Sequence, residues 1–387
     1  MNLRSALNPE LLFRTLADLV AINSVNPQFP GGRGEWVIAQ YVGDFFRNNS
    51  IAFEFQTVFE GRPNVIARLD GRPGGPTLIL EAHMDTASEL GASREPFRPL
   101  REGSRLYGRG SCDTKGGLAA MMHALKVLRD AGVRPDASVI LVAAADEEYS
   151  SRGVLKFLEG GFGADAAIVA EPTGLETAVA SKGVLRWRLR TRGQAAHSSK
   201  PQIGINAIVK MAKVILAMEE RIPRDFQGRK HPQVGSPTLN VGVIHGGNQV
   251  NQVPDSCTIE LDRRMIPGET AESVWQECKS LLAELQEHDP ELEVEMEPPF
   301  QEKHPLETDA SARIVRVLSR VSQEVTGHSR MVGVPYGSDA SILAMVGIPS
   351  VIFGPGSIDQ AHAADEYVDL HEVSLAAEIY ARTILEF

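Results

Sequence analysis

Histidine and carboxylate side chains follow short apolar segments at four places in the chain. The four groups are His83 with Asp85, the run Asp146-Glu147-Glu148, Glu171, and His362 after a Gly-Pro-Gly turn. Imidazole nitrogens and carboxylate oxygens are the ligands that Zn²⁺ and similar divalent cations take in proteins. Each group alone has an ordinary explanation, such as a solvated turn or a surface histidine. Because the pattern repeats at four segments, we interpret the groups together as a metal centre.

The apolar segments themselves are predicted to be buried parallel strands. They are residues 77–80, 138–145, 166–170 and 350–353. Apolar side chains run through them without alternation, which is typical of parallel strands covered on both faces. Helical stretches such as residues 117–130 lie between several of them, so we predict an α/β fold with a mostly parallel sheet. Ligand sites in such sheets lie outside the carboxyl ends of the strands, where these polar side chains occur.

A glycine-rich segment, residues 108–117, precedes the predicted helix. Phosphate-binding loops are also rich in glycine, but this segment lacks both the Gly-Lys-Ser/Thr ending and the GxGxxG spacing. We therefore reject a phosphate site and expect Asp113, at the centre of the segment, to be a carboxylate held by tight turns. Cys112 beside it has no evident base, so a thiol nucleophile is not favoured.

The middle of the chain is predicted to form a second α+β domain. Its strands are residues 184–190, 238–244, 257–261 and 292–296, and its helices are residues 204–222 and 270–287. The resulting order, β-α-β-β-α-β, is that of the split βαβ unit in ferredoxin-like folds. We therefore expect residues 183–297 to be inserted into a discontinuous first domain made of residues 1–182 and 298–387.

The composition of the chain argues against some binding partners and indicates a cellular compartment. The 387 residues include 39 Lys+Arg and 50 Asp+Glu, a net charge of −11. This acidic balance does not favour binding to nucleic acid or to anionic lipid. The longest uncharged apolar run, residues 137–145, is about half of what a bilayer span needs. With three cysteines and no CxxC pair, a reducing cytoplasm is the expected location.

The sequence resembles a family of di-zinc amidohydrolases over nearly its whole length. That family includes acetylornithine deacetylase, succinyl-diaminopimelate desuccinylase, aminoacylase and glutamate carboxypeptidase. The motifs that carry the resemblance in the first domain are His83-Met84-Asp85, residues 110–117, Asp146-Glu147-Glu148, Glu171-Pro172-Thr173 and Ala361-His362. In the inserted domain they are residues 193–199, 247–254 and 262–264. The resemblance implies a catalytic domain together with a lid domain that also forms a homodimer.

The resemblance implies two Zn²⁺ ions per subunit, with Co²⁺ as an expected substitute. His83 and Glu171 would hold one ion, Glu148 and His362 would hold the other, and Asp113 would bridge them. The peptide bond that follows Asp113 is expected to be cis. Water activated by the metals would then attack an amide carbonyl.

Roles for the remaining motif residues follow from the same resemblance. Glu147 would be the general base, and it would return the proton to the leaving nitrogen. Asp85 would orient the ligand His83. His197 would stabilise the oxyanion of the other subunit across the dimer.

The predicted reaction is hydrolysis of an N-acyl amino acid to a free amine and a carboxylic acid. Arg264 and Asn251 would bind the substrate carboxylate. Cleavage of a peptide bond by a carboxypeptidase or dipeptidase is the alternative, since only the acyl half differs. The sequence does not distinguish acetylated from succinylated substrates. A non-catalytic relative that binds metal or an amino acid is a third possibility, against which Glu147 and the full ligand set argue.

Overall fold

The computed structural model describes residues 3–89 and 91–387. The helices are α1 (Leu3–Ala6), α2 (Pro9–Ala21), α3 (Trp36–Asn48), α4 (Gly116–Asp130), α5 (Arg152–Glu159), α6 (Ala207–Asp225), α7 (Ala271–His288), α8 (Arg313–Thr326), α9 (Ala340–Met345) and α10 (Leu370–Glu386). The strands are β1 (Ala52–Phe59), β2 (Arg62–Leu69), β3 (Thr77–His83), β4 (Leu100–Glu102), β5 (Arg105–Tyr107), β6 (Ser138–Ala144), β7 (Ala166–Val169), β8 (Thr177–Ser181), β9 (Gly183–Arg192), β10 (Ala196–His197), β11 (Thr238–Gly246), β12 (Gln252–Val253), β13 (Ser256–Met265), β14 (Glu293–Met296), β15 (Gln301–Lys303), β16 (Leu306–Glu307), β17 (Met331–Val334), β18 (Ser350–Ile352) and β19 (Tyr367–Asp369). Across these described residues, no helix has both the length and the apolar character that crossing a bilayer requires.

The chain divides into two compact units. The first unit is Met1–Val179, Glu307–Gly333 and Ser338–Phe387, and the second is Ala180–Leu306 and Val334–Gly337. The second unit continues past Glu297, near which the sequence placed a boundary. The reason is that β15 pairs with β9 and so extends the sheet of the second unit.

The long sheet runs in the order β1-β2-β6-β3-β7-β18-β8-β16, with β17 also paired to β8. Its strands β6, β3, β7 and β18 are neighbours and parallel, and nearly all of their side chains are buried. These are the four strands predicted from continuous apolar runs, so the predicted α/β class is confirmed. Antiparallel pairs flank them on both sides, through β2 and β8.

Helices of the first unit pack an apolar core against this sheet. Helix α10 packs on α4 and α8, and the buried core includes Leu16, Met121, Leu141 and Tyr380. Helix α4 begins directly after the segment that carries Asp113. A Cβ atom on its second residue, Gly117, would lie 2.7 Å from the Cβ atom of Ala170. Glycine therefore lets α4 start close to the end of β7, which positions the preceding loop. 

The second unit has the predicted β-α-β-β-α-β order. Its antiparallel sheet runs β11-β13-β9-β14, and α6 and α7 enclose a core that includes Trp187, Met211 and Leu261. Helix α6 begins at Ala207 rather than at residue 204. The side chain of Asn206 caps it by accepting a hydrogen bond from the Val209 N–H at 3.1 Å.

Candidate metal centre

The four parallel strands deliver histidine and carboxylate side chains at their carboxyl ends. Strand β3 ends at His83, β6 is followed by Glu147 and Glu148, and β7 is followed by Glu171. His362 lies ten residues after the last residue of β18. Because the carboxyl ends of neighbouring parallel strands share one edge of the sheet, side chains far apart in sequence meet there.

Asp113 lies between two histidines. The Nε2 atom of His83 is 3.0 Å from Asp113 Oδ1, and the Nε2 atom of His362 is 3.3 Å from Asp113 Oδ2. His362 Nε2 is also 3.2 Å from Glu148 Oε1. The peptide bond between Asp113 and Thr114 is cis, as the family resemblance implied. A carboxylate whose two oxygens face different imidazoles has the arrangement of a ligand that bridges two cations.

Two overlapping groups of side chains could each hold a metal ion. They are His83 with Glu147 and Glu171, and His83 with Asp113 and Glu148. Within each group the ligand atoms lie within 4.8 Å of one another. His362 reaches the second group through Glu148 and Asp113. The structure thus brings together the five side chains that the resemblance implies as metal ligands, His83, Asp113, Glu148, Glu171 and His362.

The charges of these side chains fit a pair of divalent cations. Four carboxylates and two imidazoles converge in a mostly buried place, so negative charge is in excess and needs compensation. Burial alone would raise the pKa of Asp113, but hydrogen bonds from His362 and His83 hold it well below its usual range. Hydrogen bonds to Asp113 and Glu148 raise the pKa of His362 to about 11. The carboxylates therefore stabilise positive charge at this point.

Asp85 holds the backbone that carries Glu147 and Glu148. Its Oδ1 accepts the Glu147 N–H at 3.0 Å, and its Oδ2 accepts the Glu148 N–H at 3.1 Å. The ring of His83 is oriented by the Asp85 main chain, since Nδ1 donates to the Asp85 carbonyl oxygen at 2.9 Å. The Asp85 carboxylate, expected from the resemblance to orient His83, is 3.7 Å from Nδ1. Nε2, which faces Asp113, is the nitrogen left available to bind a metal ion.

A buried polar network behind Asp85 was not found by sequence reasoning. Asn26 Nδ2 donates to Asp85 Oδ2 at 2.8 Å and to Asp146 Oδ1 at 2.9 Å. Arg62 donates to the same Asp146 oxygen at 2.9 Å and binds both oxygens of Glu35. Asp146 adopts a φ of 71°, which is unusual for a residue other than glycine, directly before Glu147. The only local signal was an Asn-Pro pair at Asn26, which equally marks an ordinary turn.

His197 and Asn251 lie on adjoining segments of the second unit. Strand β10 places His197 opposite Gln252, and the Ser198 N–H donates to the backbone oxygen of Asn251 at 3.1 Å. The Nδ1 atom of His197 accepts the Ser199 N–H at 3.1 Å. A neutral ring therefore carries its proton on Nε2. His197 is exposed, so this Nε2–H is chemically suited to donate to an oxyanion.

Arg264 is paired within its own strand. Its Nε and Nη2 atoms donate to the two oxygens of Asp262 at 2.7 and 3.2 Å. Arg186 also donates to Asp262, at 2.7 Å. A substrate carboxylate at Arg264 would have to share or displace this carboxylate. The next arginine toward the amino terminus, Arg263, is buried and donates to Glu269, which is a structural contact.

Comparison with known proteins gives related sequences over most of the chain. The family model described as peptidase family M20/M25/M40 matches residues 79–386. Acetylornithine deacetylase from Myxococcus xanthus is 32% identical over 330 residues, which cover 84% of each chain. Acetylornithine deacetylase from Vibrio campbellii is 28% identical over 392 residues, with 97% of each chain covered.

Solved structures share the fold at lower sequence identity. A tripeptidase from Staphylococcus aureus superposes with a TM-score of 0.79 at 22% identity, and the match covers 98% of both chains. A dinuclear metal-binding peptidase of the M20 family from Bacillus subtilis superposes with a TM-score of 0.72 at 17% identity, again over 98% of both chains. Because the family model covers most of the sequence, the predicted resemblance is confirmed, and the chain belongs to peptidase family M20/M25/M40.

Proposed function

We propose that this protein is a zinc-dependent hydrolase that cleaves the amide bond of an N-acyl amino acid. The observation that carries the proposal is Asp113 between His83 and His362, with Glu147 adjacent in sequence to Glu148. Two relatives at 28 and 32% identity are acetylornithine deacetylases, and they favour amide hydrolysis of this kind. The donor set of imidazole and carboxylate suits zinc.

The metal pair is assigned as the resemblance implies. His83 and Glu171 would hold one ion, Glu148 and His362 would hold the other, and Asp113 would be shared. When bound, such ions supply Lewis-acid chemistry, because they acidify water and polarise a carbonyl group. The close approach of these ligand atoms in the first unit supports the assignment. 

Glu147 is proposed as the general base and then the general acid. Its carboxylate takes a proton from the water that attacks the amide carbonyl, and it gives that proton to the nitrogen as the C–N bond breaks. Asp85 positions Glu147 through the backbone hydrogen bond at 3.0 Å. This bond fixes the main chain from which the Glu147 side chain projects, which supports one residue in both roles.

The second unit is proposed to contribute substrate contacts. His197 donates from Nε2 to the oxyanion of the tetrahedral intermediate. Arg264 and Asn251 bind the substrate carboxylate. Arg264 would bind it in addition to, or in place of, the Asp262 carboxylate with which it forms a salt bridge. The exposure of His197 and Asn251 and the half-buried guanidinium of Arg264 support the proposal.

A homodimer formed by the second units is part of the proposal. Strand β11 is an edge strand of its sheet and exposes Ile244, while α6 exposes Val209 and Leu216. Leu216 is 69% exposed and Val209 is 52% exposed. An unpaired sheet edge beside apolar side chains is stabilised when a second copy covers it.

A cytoplasmic location is also proposed. The described cysteines are buried and form no disulfide, which fits a reducing compartment.

A substrate panel tests the proposed reaction. Purified protein loaded with Zn²⁺ is assayed with N-acetyl and N-succinyl amino acids, and in parallel with dipeptides and tripeptides that have free carboxylates. We expect kcat/KM to be highest for an N-acyl amino acid, with ornithine derivatives included because of the relatives. A preference for peptides would instead establish the carboxypeptidase or dipeptidase alternative. No hydrolysis of any amide by metal-loaded protein would contradict both.

A further inference from the structure

The side chain of Glu366 joins the two loops that carry Asp113 and His362. Its Oε1 accepts the backbone N–H groups of Cys112 at 3.0 Å and of Asp113 at 3.1 Å. Its Oε2 accepts from Nη1 of Arg109 at 2.7 Å. Glu366 and Arg109 are each only 4% exposed. A single buried carboxylate is therefore bonded to the main chain of one proposed metal ligand and lies four residues from another.

The backbone around Glu366 is fixed as well. The Gly108 N–H donates to the Glu366 carbonyl oxygen at 3.0 Å. Immediately afterwards β19 pairs with β5, and Tyr367 lies opposite Tyr107. Both the main chain and the side chain of Glu366 thus bind residues 107–113, so this glutamate is anchored to the loop that contains Asp113.

The short connection from Glu366 to His362 means that this anchor also affects the position of the His362 imidazole. Only three residues separate them, so displacement of Glu366 moves the segment that presents the imidazole. The atoms it would separate are His362 Nε2 and Asp113 Oδ2, which are 3.3 Å apart. Metal affinity depends steeply on such separations, because the ligands must meet a cation at about 2 Å without rearrangement.

We propose that Glu366, held by Arg109, is a positioning residue that sets the affinity of the metal position formed by His362 and Glu148. This inference rests on the proposed pair of metal ions and goes beyond the ligands themselves. Loss of a group that orients a metal ligand typically weakens metal binding by about 10–100-fold. Glu366 reaches the position formed by His83 and Glu171 only through the shared Asp113, whereas it also fixes the segment that carries His362. The position formed by His83 and Glu171 should therefore change less.

The test is a titration of metal-stripped, full-length protein with Zn²⁺ and with Co²⁺. Dissociation constants for both positions are measured by chelator competition, and the visible absorption of bound Co²⁺ reports the geometry. Glu366→Gln keeps an oxygen that can accept from both amides but loses the ion pair with Arg109. It should weaken one position by about 10–100-fold and change the Co²⁺ spectrum.

A second set of measurements, in the His362→Ala variant, identifies which metal position Glu366→Gln weakens. His362→Ala should abolish the affected position, and adding Glu366→Gln to His362→Ala should leave the remaining position within about threefold of its affinity in the single variant. Arg109→Gln removes only the partner of Glu366. It should weaken the same position, and it tests the inference if Glu366→Gln does not fold.

A chemically matched control is available at Glu176. This buried glutamate accepts the Arg330 N–H at 2.6 Å and pairs with Arg330 Nε at 3.0 Å. Glu176→Gln should leave both metal affinities unchanged. The inference would be overturned if Glu366→Gln and Arg109→Gln both bound metal with wild-type affinity. It would also be overturned if Glu176→Gln weakened the two metal positions as much as Glu366→Gln does. If the wild-type protein bound no metal, the proposed function itself would fail, and the inference with it.

Discussion

The carboxylate of Asp85 lies directly behind Glu147, because its Oδ1 accepts the Glu147 backbone N–H at 3.0 Å. The other oxygen of Asp85 accepts from Glu148 and from Asn26. A buried side chain therefore fixes the main chain of the proposed base and of an adjacent proposed ligand together. Because the base must stay within hydrogen-bond reach of the reacting water, this contact bears directly on the rate of hydrolysis.

The variant Glu147→Gln tests the proposed base. The amide side chain has nearly the same shape but takes up no proton, so kcat should fall by about 10²–10⁴-fold. Zinc content, measured by elemental analysis, should stay near the wild-type value because the proposed ligands are intact. A variant that kept more than about a tenth of the wild-type kcat would rule out Glu147 as the base. Loss of one metal equivalent would identify Glu147 as a ligand, since it also lies close to His83 and Glu171.

The network behind the base predicts a kinetic effect at a distance. Asn26→Ala removes the donor shared by Asp85 and Asp146, and we expect kcat to fall by about 10-fold or more with little change in KM. Asn23→Ala is the matched control, because Asn23 caps its own loop at Val25. Both variants are assayed well below their Tm. If Asn26→Ala lowered Tm but left kcat unchanged, Asn26 would be a purely structural residue.

Removal of metal should abolish activity, and Zn²⁺ or Co²⁺ should restore it, because the donors are imidazole and carboxylate. Asp113→Ala should lower both metal content and kcat more than His83→Ala does, since Asp113 faces both histidines. The measurement pairs activity with elemental analysis for each variant. Full activity in protein shown to contain no metal would contradict the proposed centre.

Chemistry-bearing residues could be predicted because their signals are local. Each of the four parallel strands is a continuous apolar run, and the residue types that follow the runs predict a metal site before any packing is known. Helix α6 shows the limit of such signals. Its apolar periodicity was clear, but its start depended on the Asn206 cap and moved by three residues.

Contacts between distant segments could not be predicted from one sequence. Asn26 meets Asp146 across 120 positions, and Glu366 meets Asp113 across 253 positions. Neither pair has a local pattern, because hydrogen bonds of this kind depend on how the sheet edge and loops pack. The contacts of Asp85 with Glu147 and Glu148 could not be predicted for the same reason. Its carboxylate contacts residues that approach it only in the folded chain.

The environment of His123 predicts a specific pH dependence of stability. His123 is buried on α4, with Thr15 Oγ1 2.9 Å from its Nε2 and the ring of Phe45 5.3 Å away. Burial, with a smaller contribution from Lys126, lowers its pKa from 6.5 to about 4. The unfolded chain therefore binds a proton near pH 6.5, whereas the folded chain does so only near pH 4. The contribution of His123 to the free energy of unfolding is therefore full above pH 6.5. It is lost as the pH falls to about 4, and the loss is about 3 kcal/mol at most.

Urea unfolding of metal-free protein at several pH values measures this effect. His123→Gln should lack this component, so the difference in unfolding free energy between variant and wild type should change between pH 7 and pH 4. His328→Gln, at an exposed position just after α8, is the control. A constant difference between His123→Gln and wild type would show that folding does not lower the pKa of His123.

Subunit complementation tests the proposed action of His197 across a dimer. Glu147→Gln and His197→Ala proteins are each expected to be poorly active, and they are mixed under conditions that allow exchange. A mixed dimer would have one site with both residues intact and one site lacking both. Random exchange should therefore restore roughly a quarter of wild-type activity, since half of the dimers are mixed and each has one working site. Mixing Glu147→Gln with His83→Ala is the control, because those two residues belong to the same unit and each mixed dimer would still have a defect in both sites. If exchange is verified by mass and no activity returns in the first mixture, His197 does not serve the partner's site.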